Sequence, residues 1–239
     1  MTTKQMGLFE QPAKIKRGLG IGELQSWLAR VKKSNPPERK MRRLSMTGIK
    51  AYVPLFKFRI CSLIAFSAIV GLIAAQSSSL FSIEKIFFLI LATMLASTAA
   101  SAFNHYFDSD IDSVMNRTKR RPLPSGKDVS ARVVLIISSV LFILSIIVSL
   151  KTLNMMVALH LTLGAFVYAF VYTARLKRRS WVNIIIGGLA GSFAVLAGGA
   201  SAKPELCLPP VLLAVVMFFW TPSHFWSFAI FHREEYEKA

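Results

Sequence analysis

Six apolar stretches of about twenty residues each, separated by short charged segments, govern what this 239-residue chain can become. A soluble helical protein intersperses charges along every helix. Here only 17% of the residues are charged against 54% apolar, and the charges are clustered. A bilayer core of roughly 30 Å requires this pattern, because each span must satisfy its own backbone hydrogen bonds in a dry medium. The expected fold is all-α, a polytopic transmembrane bundle with spans near 60–80, 84–105, 132–150, 154–174, 181–202 and 207–230.

Charge orients the bundle. Lys50, Lys57 and Arg59 precede the first span. Arg117, Lys119, Arg120, Arg121, Lys127 and Arg132 lie between the second and third, and Arg175, Lys177, Arg178 and Arg179 between the fourth and fifth. The alternate connections carry only Lys85, Lys151 and Lys203. The positive-inside rule puts the rich loops and both termini in the cytoplasm. A net charge of +17 raises the question of nucleic acid, but no recognition helix or aromatic RNA motif accompanies it, so no nucleic-acid partner is expected. Residues 1–50 form a basic cytoplasmic extension. In it Leu24, Trp27, Leu28 and Val31 suggest a short amphipathic helix lying on membrane lipid. Residues 51–239 form the membrane domain. Cys61 and Cys207 are far apart and predict no disulfide.

The chemistry concentrates in Asn104-His-Tyr-Phe-Asp108-Ser-Asp110-Ile-Asp112, at the cytoplasmic end of the second span. Steps of four residues advance about 400° on a helix, so Asn104, Asp108 and Asp112 line one stripe and Asp110 points elsewhere. Oxygen-bearing side chains at that spacing repel unless a cation sits among them, and their chemistry suits Mg²⁺. The bland alternative is a solvated acidic loop. Downstream, Arg117, Lys119, Arg120 and Arg121 could clamp a diphosphate as well as set topology. Lys177 and Arg178 lie on the same side of the membrane. In the sixth span Pro222 frees a backbone carbonyl, and Trp220 and Trp226 flank an intramembrane histidine, His224, a candidate for ligand binding although such residues also serve helix contacts. Glu235, beyond that span, could supply a further carboxylate. His105 and His160 are weaker candidates. Gly187 and Gly191 are spaced for close helix approach or for room beside a bulky ligand.

These residues carry a resemblance. Asn104-x3-Asp108-x3-Asp112 looks like the first acidic motif of the intramembrane aromatic (UbiA-type) prenyltransferases. The longer string running through Asn116-Arg-Thr and Arg121-Pro-Leu-Pro is similar to one branch, the protohaem IX farnesyltransferases or haem O synthases. So are Tyr172-Thr-x3-Lys177-Arg178, Asn183-Ile-x-Ile-Gly-Gly and Trp220-Thr-Pro-x-His224-Phe-Trp226. The likeness runs from about residue 52 to 239. Ahead of the first span that branch usually has Lys-Pro-Arg where this chain has Lys57-Phe58-Arg59, a change expected to act on the helix start more than on chemistry.

The resemblance implies transfer of a farnesyl group from farnesyl diphosphate to a vinyl group of haem b. Asn104, Asp108, Asp112 and Lys177 would be catalytic, and Asn104, Asp108, Asp112 and Glu235 would hold Mg²⁺. Arg117, Lys119, Arg121, Arg178, Glu235, Trp220 and His224 would bind substrate. The setting implied is the bacterial inner membrane in preference to the mitochondrial one, with haem A synthase or oxidase-assembly proteins as conceivable neighbours. Two alternatives stay open: a prenyltransferase with a quinone or phenolic acceptor, and a non-catalytic haem-handling membrane protein. The branch usually has up to nine spans, so about three more are expected beyond Ala239, and the chain reads as truncated at that end.

Overall fold

The computed structural model describes residues 52–76, 82–114, 118, 121, 123, 129–177, 179 and 182–233. The basic extension, with its expected amphipathic helix, lies outside them. All described residues belong to one compact unit, Ser45–Ala239.

A short 3₁₀ turn, Val53–Phe56, leads into α1 (Phe58–Ala75). Then come α2 (Ile83–Phe107), the short α3 (Ser109–Val114), α4 (Ala131–Thr152) and α5 (Met155–Phe166). A ten-residue π-helical segment, Val167–Leu176, continues α5, and α6 (Asn183–Ala202) and α7 (Leu208–Phe231) follow. Among the described residues, six helical segments are long and apolar enough to cross a membrane: Val53–Ala75, Ile83–Phe107, Ala131–Thr152, Met155–Leu176, Asn183–Ala202 and Leu208–Phe231. The all-α expectation holds, with the expected spans displaced by a few residues at their ends. The first shifts most, because Pro54 opens a turn ahead of α1.

Chain punctuation sets several boundaries. Ser82 caps α2 by accepting from the Lys85 amide at 3.3 Å, and Asn154 caps α5 by accepting from Val157 at 2.9 Å. Pro209 and Pro210 stand in the first turn of α7, where a missing amide hydrogen costs nothing.

The core mixes alanines with a few leucines and a valine. Ala68, Leu72, Leu89, Ala92, Ala96, Val157, Leu161, Ala197 and Ala200 pack between α1, α2, α5 and α6. Lipid tails are as apolar as leucine, so helices in a membrane associate through close packing and polar contacts rather than burial of large apolar groups. The polar contacts are visible as serine hydroxyls donating to carbonyls of neighbouring helices. Ser138 reaches Ala99, Ser145 reaches Ala92, and Ser192 reaches Ala214, at 2.7–2.8 Å. Such bonds contribute about 0.6 kcal/mol each on average. Large apolar side chains, among them Leu63, Phe66, Ile136, Phe170 and Phe219, face outward.

The tightest approach is not at Gly187 or Gly191. Gly187 lies against the Tyr172 ring, and Gly191 makes only ordinary contact with Met217. Instead Gly71 of α1 and Gly198 of α6 face each other's helix. A Cβ added to Gly71 would overlap the Val195 carbonyl, and one on Gly198 would overlap the Ala68 carbonyl. The two backbones therefore touch directly, and α6 becomes the hub against which α1, α5 and α7 pack.

Candidate active site

The start of α1, the end of α2, α3, the end of the π segment and the start of α6 share one end of the bundle. Polar side chains converge there. α2 stops at Phe107, and Asp108 adopts φ −88° and ψ 1°, the bridge region often found at functional residues. The expected unbroken helix is therefore divided in two. The four-residue spacing survives the break, because the Asp108 amide donates to the Asn104 carbonyl at 2.9 Å and the Asp112 amide to the Asp108 carbonyl at 2.8 Å. Asn104, Asp108 and Asp112 are accordingly all buried, at 3%, 3% and 5% exposure, while Asp110 is exposed.

Burying two carboxylates demands compensation. Lys177 Nζ lies 2.5 Å from Asp108 Oδ2, and Arg121 lies 2.6 Å from Asp112 Oδ2. Asn104 Nδ2 donates to the same Asp108 oxygen at 2.7 Å and to Thr173 Oγ1 at 3.3 Å. Lys57 Nζ donates to Asn104 Oδ1 at 3.0 Å. Thr118 closes the far end, donating to the Asp112 carbonyl at 3.0 Å. Three cationic side chains thus face two carboxylates and an amide.

One buried oxygen, Asp108 Oδ1, has no hydrogen-bond partner among the described residues. A buried carboxylate oxygen left open is a place for a cation. Together with Asp112 and the amide oxygen of Asn104 it forms an all-oxygen donor set, which fits Mg²⁺. No three His, Cys, Asp or Glu side chains form a preformed metal cage among the described residues. The fit is thus to a metal that takes one or two carboxylates and completes its shell with water and phosphate.

Of the residues expected from sequence, Asn104, Asp108, Asp112, Arg121 and Lys177 are brought together. Arg117, Lys119, Arg178 and Glu235 lie outside the described residues. Trp220 and His224 stand apart from the cluster. Their rings stack at 4.6 Å and 11° on an exposed face of α7, and neither shares a hydrogen bond or ring contact with the acidic stripe. α7 packs on α6 and α1, with Pro222 turned inward. His160 bonds the Met156 carbonyl at 2.7 Å, near the other end of the bundle beside Glu205, Cys207 and Pro210.

Sequence reasoning misses or undervalues four residues. Lys57 reads from sequence only as part of a helix start. It does start α1, in a left-handed conformation with φ 44°, but that unusual backbone accompanies an ammonium group placed on Asn104. Its signal is the departure from Lys-Pro-Arg, which retains the lysine. Thr173 and Asn183 are visible only as motif letters; Asn183 Nδ2 donates to the Lys177 carbonyl at 3.2 Å. His105, a weak candidate from sequence, is 2% exposed with neither ring nitrogen partnered among the described residues.

The sequence profile of the UbiA prenyltransferase family matches residues 64–239. Among curated proteins, "Protoheme IX farnesyltransferase 1" of Paramagnetospirillum magneticum is 45% identical over 192 residues, 80% of this chain and 66% of that protein. The "Protoheme IX farnesyltransferase" of Neorickettsia sennetsu is 38% identical over 80% of this chain and 63% of its own length. The chain thus spans slightly less than two thirds of these relatives. Among solved structures, a UbiA homolog from Archaeoglobus fulgidus bound to GPP and Mg²⁺ superposes with a TM-score of 0.66 at 20% identity, covering 79% of this chain and 65% of that one. A likeness of that kind shows a shared fold. The match across most of the chain, with the acidic stripe inside the matched region, establishes that this chain belongs to the UbiA prenyltransferase family.

Proposed function

We propose that the protein transfers a farnesyl group from farnesyl diphosphate to a vinyl carbon of haem b, with addition of water, giving haem O and diphosphate. The observation that carries this reading is the buried stripe of Asn104, Asp108 and Asp112 faced by Lys57, Arg121 and Lys177 at one end of an apolar bundle. Diphosphate cannot enter the bilayer core, whereas a prenyl tail and a porphyrin can. The acceptor is supported by the names of the curated relatives and by the His224-Phe-Trp226 segment.

In this reading Asp108, Asp112 and the Asn104 amide oxygen, with Glu235 as a further carboxylate, would hold Mg²⁺, which would supply positive charge to offset the negative charge developing on a departing diphosphate. Lys57, Arg121 and Lys177, with Arg117, Lys119 and Arg178 from the same loops, bind the diphosphate oxygens. Their positive charge grows in value as the C–O bond breaks, which favours the transition state over the bound substrate. The allylic cation so formed is attacked by the vinyl group, and water adds to the resulting haem-side cation with loss of a proton. Asp108 and Asp112 keep the two long cationic side chains oriented before substrate arrives. Trp220 and His224 offer a flat face to haem from α7. The setting is a bacterial inner membrane with the N-terminus and the site on the cytoplasmic side, following the Lys/Arg asymmetry.

The test is direct. The chain, purified in detergent, is given farnesyl diphosphate and Mg²⁺ with either haem b or a phenolic quinone precursor, and prenylated product and diphosphate are measured. Haem-dependent diphosphate release is expected. Release with the phenol alone would identify a different acceptor, and no release with either would defeat the enzymatic reading.

A further inference from the structure

Thr173 is 1% exposed, and its hydroxyl is engaged twice. It donates its single proton to the Tyr168 carbonyl, five residues back, at 2.8 Å. It therefore meets Asn104 only as an acceptor, 3.3 Å from Nδ2. A threonine in an ordinary helix returns its proton three or four residues back. Reaching five back belongs to the wider turn of the π segment, a geometry uncommon in proteins and frequent near functional sites.

The other amide proton of Asn104 goes to Asp108 Oδ2 at 2.7 Å. With both protons held on one side, the amide oxygen is turned to the other, where Lys57 meets it at 3.0 Å. Reversing the amide would set its oxygen against a carboxylate oxygen and a hydroxyl lone pair, and its NH₂ against an ammonium.

We propose that Thr173 is a positioning residue that decides which end of the Asn104 amide is presented to a bound cation. The inference rests on the metal–diphosphate reading above. Asp108 cannot be the sole guide, because its own carboxylate is among the groups a cation would engage. Thr173 is uncharged and has its proton already committed to backbone, so its acceptor role persists when the ions around it rearrange.

The test uses the whole chain in detergent and calorimetric titration of Mg²⁺ in the presence of inorganic pyrophosphate, with no turnover required. Thr173→Val keeps the shape and removes both hydrogen bonds; it should weaken Mg²⁺ uptake about tenfold, the scale of one lost hydrogen bond to an ordered group. Thr173→Ser should restore affinity to within about twofold. In an Asn104→Asp background, which has no amide protons, Thr173→Val should change affinity less than about twofold, because the coupled term has been removed. If Thr173→Val does not fold, Thr173→Ala takes its place in the same comparison. Unchanged affinity in the single variant, failure of serine to rescue, or a full tenfold loss in the Asn104→Asp background would each overturn the proposal. A wild-type chain that binds no Mg²⁺ with pyrophosphate would overturn the reading of the site, and this inference with it.

Discussion

Asp108→Asn is the sharpest test of the acidic stripe, because the neighbouring Asp110 supplies an internal control. Asp108 is buried, Oδ2 receives Lys177 at 2.5 Å and Asn104 at 2.7 Å, and Oδ1 is open. The asparagine is nearly the same size, so the change removes one negative charge and little else. Two unit charges about 4 Å apart at an effective dielectric near 20 interact by about 4 kcal/mol. If the site acts on diphosphate departure as proposed, losing that interaction lowers the rate by roughly 10³-fold. Stability also falls, because Lys177 loses its counter-ion. Its side chain is 30% exposed, so the cost is well below the 3–5 kcal/mol of a fully buried pair, about 1–2 kcal/mol. Asp110 is exposed, and Asp110→Asn should stay within about twofold of wild type. The assay is diphosphate release by detergent-purified variants with farnesyl diphosphate, haem b and saturating Mg²⁺, beside a thermal melt of each. Equal losses at both positions would refute the stripe, as would Asp108→Asn retaining more than a tenth of wild-type activity.

Gly198→Leu should abolish assembly of the bundle, since its first side-chain atom already overlaps the Ala68 carbonyl, whereas Gly191→Ala should melt within a few degrees of wild type; size-exclusion in mild detergent distinguishes them, and a monodisperse Gly198→Leu chain would contradict the crossing. His224→Ala, on an exposed face away from the stripe, should reduce haem retention measured by absorbance about tenfold while leaving affinity for a non-hydrolysable farnesyl diphosphate analogue within about twofold; parallel loss of both ligands would remove haem from its role. A topology reporter fused after Lys203 should read as non-cytoplasmic, and cytoplasmic activity there would reverse the orientation.

Hydropathy makes the spans legible because a bilayer imposes a length on every crossing, and that length is written locally. The stripe is legible for a similar reason. The four-residue spacing of Asn104, Asp108 and Asp112 is a property of one short segment, and it persists although the helix breaks at Asp108. Contacts made across the bundle are not legible. Nothing local to Lys57 states that its ammonium group reaches Asn104, 47 positions later. Nothing local to Thr173 states that the helix around it has π geometry, which decides where its hydroxyl points. The glycines show the same limit. The spacing of Gly187 and Gly191 is suggestive, yet the direct backbone contacts fall at Gly198 against Ala68 and at Gly71 against Val195, pairs that lie in distant spans.

Those contacts also set a clock on biosynthesis. Gly71 leaves the ribosome long before Gly198, and at about 5–20 residues per second the interval of roughly 130 residues lasts about 6–25 s. Throughout that time α1 has been inserted but lacks the helix against which its backbone closes. α2 can dock on it, and α4 on α2, before α6 exists. The first span must therefore wait in lipid with Gly71 uncovered, and α6 must slide between neighbours already in place. Lys57, carried at the start of α1, meets Asn104 of α2, so that bond needs only the first two spans. A stalled nascent chain ending before residue 183 would then hold every carboxylate of the stripe and both of its described lysines, yet lack Asn183, whose side chain donates to the Lys177 carbonyl.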